Sequence, residues 1–195
     1  MTIRAYPMAA RQASFVTDVG DEVTMRPMMK TDKDALLDFL RPVPEEDRFY
    51  LKDDVTSASV ASQWPAHLES CRTLPILAFA GNKVIGDPTL RRFRSGARRH
   101  VGEVHILVDP CHRGSGVGTR LMTTLAEVAR EEGLEKLMFD VVAEVGIAAR
   151  HTAHKLGFVP VTALRDQVRD IWGDLHDLVT MELVLVPTDV EPLVF

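Results

Sequence analysis

The stretch Arg113-Gly-Ser-Gly-Val-Gly118 constrains this chain more than any other part of it. Before it, Val101 to Val108 reads as a strand. After it, Val117, Leu121, Leu125 and Val128 recur at helical spacing, with Met122, Ala126 and Ala129 widening the apolar stripe. A strand, a short glycine-rich turn and a helix starting inside that turn together make an anion site. The first amides of a helix have no intrahelical acceptor, and its dipole favours negative charge there. Gly114, Gly116 and Gly118 let backbone approach a phosphate without Cβ clashes, Val117 supplies a further amide, Ser115 and Thr119 offer hydroxyls, and Arg113 offers charge. A diphosphate fits such a nest.

The spacing separates the cofactors that use such turns. A Walker A loop needs a lysine after its last glycine, and none follows here. A dinucleotide fingerprint needs G-x-G-x-x-G, whereas this turn is Gly114-x-Gly116-x-Gly118. Asp140 stands near the distance expected of a ribose-binding acid and keeps that alternative open. The pattern R/Q-x-x-G-x-G/A is matched in full by Arg113, Gly116 and Gly118.

The rest of the chain reads as mixed α/β. Residues 1–21 show no sustained period and read as an N-terminal extension, 22–187 as one domain and 188–195 as a C-terminal tail. Val23 to Met28 alternates as a half-buried strand, and Thr31-Asp-Lys-Asp34 opens a helix that Pro42 stops. Short helices are expected over 45–51 and within 55–70, around Val60, Trp64 and Leu68. Pro75 to Ala80 and Val84 to Asp87 form a hairpin about Gly81-Asn82. Lys136 to Val142 is an apolar strand, Glu144 to Leu156 a helix, Phe158 to Leu164 a strand, and a last hairpin turns near Trp172-Gly-Asp174 into Leu178 to Val186.

Composition narrows the class of function. With 195 residues, 46% hydrophobic and 26% charged, the chain has the balance of a soluble globular protein. Its net charge of -5 argues against general nucleic-acid binding, which uses a basic face. Two cysteines, Cys71 and Cys111, make no disulfide framework and no C-x-x-C centre. No stretch of membrane-spanning length and no signal-peptide core occurs. These features point to a cytoplasmic protein with no membrane or nucleic-acid partner and no metal.

The glycine turn and its surroundings resemble the GNAT superfamily of N-acetyltransferases. The likeness runs through Glu103-Val-His-Ile-Leu-Val-Asp-Pro110, the turn, the helix, and the closing Lys155-Leu-Gly-Phe158. It implies a central, mostly antiparallel twisted sheet with one parallel pair and helices on both faces. It also implies acetyl-CoA as cosubstrate, its pyrophosphate on residues 113–119, and its pantetheine and acetyl carbonyl on the N–H groups of Leu107 and Val108. The acceptor is then a primary amine, either a protein lysine, as in the bacterial protein-lysine acetyltransferases that the chain is nearest in style, or a small molecule. A non-catalytic acyl-CoA sensor is the alternative.

A free lysine amine, with pKa about 10.4, is almost wholly protonated at pH 7, so the chemistry gains from a base. The resemblance assigns Glu103 to that role, and His105, on the same strand face, stands next to it. The sequence departs from the family in α-helical 144–156, where Ala153 replaces the common tyrosine acid and Gly146 the usual asparagine. That leaves water, His151 or His154 to protonate the thiolate. Arg91, Arg92, Arg94, Arg98 and Arg99 form a basic hairpin, read either as a solvated sheet edge or as a site for an acidic substrate or the cofactor's 3′-phosphate. Asp166 and Asp170 are candidates to face a cationic acceptor, Cys111 for a ping-pong route, and the last strand with Pro192 to Phe195 for pairing with a second copy.

Overall fold

A computed structural model of the chain describes residues 12–45, 47, 73–93 and 96–185. The expected helices over 45–51 and 55–70 fall largely or wholly outside these residues, as do Trp64, Cys71, Arg94, Pro187 and the tail. Eight strands make one sheet in the order β1-β2-β3-β4-β5-β6-β8-β7. They are β1 (Ala13–Val16), β2 (Glu22–Pro27), β3 (Thr73–Ala80), β4 (Lys83–Arg92), β5 (Val101–Val108), β6 (Lys136–Val142), β7 (Val159–Arg169) and β8 (Leu175–Val184). Every neighbouring pair is antiparallel except β5 with β6. The helices are α1 (Lys33–Leu40), α2 (Val117–Glu131) and α3 (Ile147–Lys155).

Two cores sit on opposite faces of the sheet. On one, the stripe of α2 packs with Leu74, Ile76, Leu90, Val104, Leu137 and Phe139, and α3 adds Ala153. On the other, Leu36, Phe39 and Leu40 of α1 pack on Leu77, Phe79, Val84 and Leu107. Alternate residues of β3 and β5 therefore serve opposite cores, the period-2 signature of a strand inside a sheet covered on both faces. No helix among the described residues is long and apolar enough to cross a membrane.

Three local readings differ from the expectation. Ala13–Val16, in the segment read as an extension, is an edge strand pairing with β2 from Ala13↔Met25 to Val16↔Glu22. Its weak period has a cause, since an edge strand of four residues with only Phe15 half-buried leaves little pattern to read. Helix α3 begins at Ile147 rather than Glu144, because Gly146 caps it where a Cβ would meet the Val142 carbonyl at 2.7 Å and collide with Val141 Cγ2. The basic hairpin is no sheet edge, since β4 and β5 both have neighbours on each side.

Candidate active site

The parallel pair creates the site. β5 and β6 are in register from Val101↔Lys136 to Val104↔Phe139, and there the ladder stops; Asp140 to Val142 continue along β8 alone. A gap thus opens between the C-terminal halves of β5 and β6 and leads to the glycine turn. It forms part of a cleft of about 1190 Å³ lined by Glu103 to Val108 of β5 and Met138 to Val142 of β6, by Gly114, Gly116, Gly118 and Thr119, and by Ala149, Thr152 and Lys155 of α3.

The backbone around the gap can be followed amide by amide. The Asp109 N–H donates to the Ile85 carbonyl at 2.9 Å, and the register from Gly86↔Val108 to Arg92↔Gly102 is unbroken. Antiparallel pairing alternates, so the N–H groups of Leu107, His105 and Glu103 also turn towards β4, while those of Val108 and Ile106 face the gap. Val108 thus has the orientation expected of it. Leu107 does not, because its amide belongs to the β4 ladder and its side chain is buried in the α1-side core; Ile106 takes its place.

The glycine turn has two residues at positive φ, Gly114 (74°) and the α2 N-cap Gly116 (82°). The first intrahelical bond is Arg120 N–H to the Gly116 carbonyl, and no side chain caps the helix. The amides from Gly116 to Thr119 therefore lack intrahelical acceptors, as a diphosphate site requires. Val117, 1% exposed, anchors the turn in the core. Two of the side chains expected to grip phosphate, Ser115 and Arg113, are engaged elsewhere. The Ser115 hydroxyl donates to the His112 carbonyl at 2.6 Å, and Arg113 donates from Nε to the Val108 carbonyl (3.2 Å) and from Nη2 to Asp47 (2.8 Å). Arg113 thereby braces the end of β5.

Two anions frame this turn. Buried Asp109 accepts from Lys83 Nζ at 2.7 Å and from the Cys111 N–H at 2.8 Å, pinning the start of the turn to the β3–β4 hairpin. Burial alone would raise its pKa, yet Lys83 and the Cys111 amide hold it below the ordinary carboxylate value. The Asp18 N–H donates to the Ser115 carbonyl (3.1 Å), and the Asp18 carboxylate lies 2.9 to 3.2 Å from where a Gly116 Cβ would be. The β1–β2 turn is thus a wall of the candidate anion site that the sequence reading did not include.

On the α1 side, cross-strand pairs place Asp87, Thr89 and Arg91 of β4 opposite Leu107, His105 and Glu103 of β5. Glu103 and His105 both line the cleft. Glu103 stands at the end where β5 and β6 remain paired, with Arg98 Nη2 3.4 Å from its Oε1. Arg91 and Arg98 reach the cleft, whereas Arg92 is tied to Glu132 and Arg98 also stacks 5.2 Å over the Phe93 ring. Asp140 lines the cleft too, held by the Thr180 hydroxyl at 2.8 Å. Sequence reasoning missed Asp87 as a site residue. Thr89 Oγ1 donates to its Oδ1 at 3.1 Å, and burial pushes its carboxyl from 3.8 up to about 6. An acid inside the apolar run Val84 to Leu90 was the available signal.

Other candidates lie apart from the cleft. Asp170 is buried in the β7–β8 turn, where it accepts from the Trp172 and Asp174 amides and contacts His176 Nε2 at 3.0 Å; that contact holds its pKa low and raises that of His176. The Asp166 amide donates to Asp177, and Trp172 is 72% exposed at the hairpin tip. His151, His154 and Cys111 are exposed and outside the cleft lining. Ala153 is fully buried, so its position points into the core, and Thr152 beside it faces the cleft instead.

Comparison with known proteins agrees with this geometry. The model of the acetyltransferase (GNAT) family matches residues 34–158, more than half of the chain. The L-amino acid N-acyltransferase MnaT of Escherichia coli is 34% identical over 113 residues, covering 57% of this chain and 64% of its own length. The L-methionine sulfoximine/L-methionine sulfone acetyltransferase of Salmonella typhimurium is 32% identical over 113 residues, covering 57% of this chain and 65% of its own. The match thus spans just under two thirds of either relative. The structure of yncA from Salmonella typhimurium, solved with acetyl-CoA, superposes with a TM-score of 0.71 at 20% identity, over 86% of this chain and 96% of that one, a likeness of fold. The motif, the open strand pair and the family match converge, and this chain belongs to the GNAT family of acetyltransferases.

Proposed function

We propose that the protein moves the acetyl group of acetyl-CoA to the primary amine of a small, amino-acid-like acceptor. The observation that carries this reading is the gap beyond Val104 and Phe139, continuous with the uncapped start of α2. Amides from Gly116 to Thr119 hold the diphosphate, and the gap-facing amides of Val108 and Ile106 bind the pantetheine and polarise the acyl carbonyl. Hydrogen-bond donors aimed where the oxyanion develops stabilise the transition state of acyl transfer.

The acceptor side carries both signs of charge. Asp87, Glu103 and Asp140 share it with Arg91 and Arg98, a pairing that suits a zwitterion with its amine towards the carboxylates and its carboxylate towards the arginines. Two relatives whose names specify amino-acid acceptors support this class. A lysine side chain within a protein presents the amine without the neighbouring carboxylate, and so offers the arginines no counter-charge of its own.

The test combines calorimetry with acetyl-CoA and thiol release across L-amino acids, L-methionine sulfone and a lysine peptide. Micromolar binding with release on small amino acids is expected. Release on the peptide alone overturns the acceptor class. Binding without release on any amine identifies a sensor, the reading favoured by the buried Ala153 where the family resemblance implies a phenol.

A further inference from the structure

We infer that Asp87 is the group that accepts the proton of the acceptor amine, a role that rests on the acyl-transfer reading above. Its place in the sheet is the reason. Asp87 is paired directly with Leu107, so its side chain stands on the acceptor face beside the stretch of β5 whose Val108 and Ile106 amides open into the gap. Glu103 is two cross-strand pairs further along, roughly 13 Å at strand rise. There β5 and β6 are still closed, and Arg98 offers Glu103 a counter-charge.

Asp87 is also suitable in kind. Thr89 holds one carboxylate oxygen at 3.1 Å, which orients the other. A carboxyl titrating near 6 is ionised at pH 7 to 8 and still basic enough to take a proton, the compromise that general bases meet. Among the described residues, the charged and titratable groups lining the same cleft are Arg91 on β4, Glu103 and His105 on β5, Arg98 in the β4–β5 turn, Asp140 on β6, Lys155 on α3, Arg169 on β7, and Asp18, Asp47 and Arg113 around the glycine turn. Met28 after β2, Leu36 of α1 and Thr73 and Pro75 of β3 contribute uncharged side chains there.

The step balances as follows. The acceptor arrives as R–NH3⁺, and the Asp87 carboxylate takes one proton to leave R–NH2. The nitrogen lone pair forms a C–N bond to the thioester carbonyl carbon, and the C–S bond breaks with its electron pair on sulfur. The second nitrogen proton goes to that thiolate through solvent. Products are the N-acetyl amine and CoA thiol, and Asp87 returns its proton to water.

The experiment measures kcat/KM and kcat from pH 5 to 9, with acetyl-CoA and the best acceptor of the panel above, for the wild type, Asp87→Asn, Glu103→Gln and His105→Gln. We expect a wild-type kcat/KM that rises through about pH 6. In Asp87→Asn that limb should vanish and kcat fall about 10²- to 10⁴-fold, with acetyl-CoA affinity within about threefold of wild type. The limb should persist in Glu103→Gln and His105→Gln. Retention of the limb in Asp87→Asn, its disappearance in either of the other variants, or loss of acetyl-CoA binding by Asp87→Asn each overturns the assignment. Wild-type protein that binds acetyl-CoA and acetylates nothing overturns the acyl-transfer reading instead, a different and recognisable result.

Discussion

Asp87 should make the fold less stable at neutral pH than it would be without the charge, and the size of that effect can be worked out. Burial raises its carboxyl from 3.8 to about 6, roughly two pH units. Each unit corresponds to 1.36 kcal/mol, so the folded state carries a penalty of about 3 kcal/mol once the group is ionised. The sign follows from proton binding: between pH 4 and 6 the folded chain holds a proton that the unfolded chain has released, so wild-type stability falls as pH rises through that window. Above about pH 7 the penalty is complete, and below pH 4 it is absent. Asp87→Asn keeps the amide oxygen as an acceptor for the Thr89 hydroxyl and removes the ionisation. Urea unfolding followed by circular dichroism at pH 4, 5, 6, 7 and 8 should show the variant level with wild type at pH 4. Its advantage should grow to about 3 kcal/mol at pH 8, equivalent to roughly 6 to 12 °C in Tm for a chain of this size. Titrating groups remote from Asp87 cancel in the difference between the two proteins. A difference that does not vary with pH, or a variant less stable than wild type at pH 8, refutes the reasoning. The expected outcome, a gain in stability with a loss of rate, marks a group retained for chemistry rather than for folding.

Four further outcomes are expected. Gly116→Ala places a Cβ at φ 82° and against the Asp18 carboxylate, so calorimetry should show weakened CoA binding and thermal melting a loss of about 1 to 2 kcal/mol. Asp18→Asn withdraws a negative charge from beside the diphosphate site; a gain of about 1 kcal/mol in CoA affinity is expected at low salt, shrinking at high salt. Gly146→Ala drives a Cβ into the Val142 carbonyl, which is backbone and cannot rotate away, and denaturant titration should register a loss of about 2 to 3 kcal/mol. Asp32 accepts both terminal nitrogens of Arg26 at 2.6 and 2.8 Å and the Met29 amide at 2.7 Å, and the Arg26 bond holds its carboxyl below the ordinary value. It therefore contributes stability above the unfolded carboxylate pKa that is lost as pH falls through the folded one. Asp32→Asn should be destabilised by about 1 to 3 kcal/mol at pH 7, converging on wild type in acid.

What the sequence determined by itself was local. The apolar stripe of α2, the Gly81-Asn82 hairpin and the glycine turn after β5 each depend on residues a few positions apart, where backbone sterics and side-chain period act directly. They were enough to place the strand-turn-helix unit on which the proposed cofactor site rests. Tertiary structure decided what depends on neighbours distant in the chain. It set β8 between β6 and β7, made an edge strand of Ala13–Val16, and brought Asp18 against Gly116. It gave the Leu107 amide to β4 and left that of Ile106 facing the gap, a choice of ladder parity that no single strand's sequence records. It drew Arg113 onto Asp47 and Val108, and it set Asp87 rather than Glu103 beside the open half of β5. Periodicity says which residues share a face; only the register between strands says which of them meet, because pairing energy is settled between segments that the chain holds far apart.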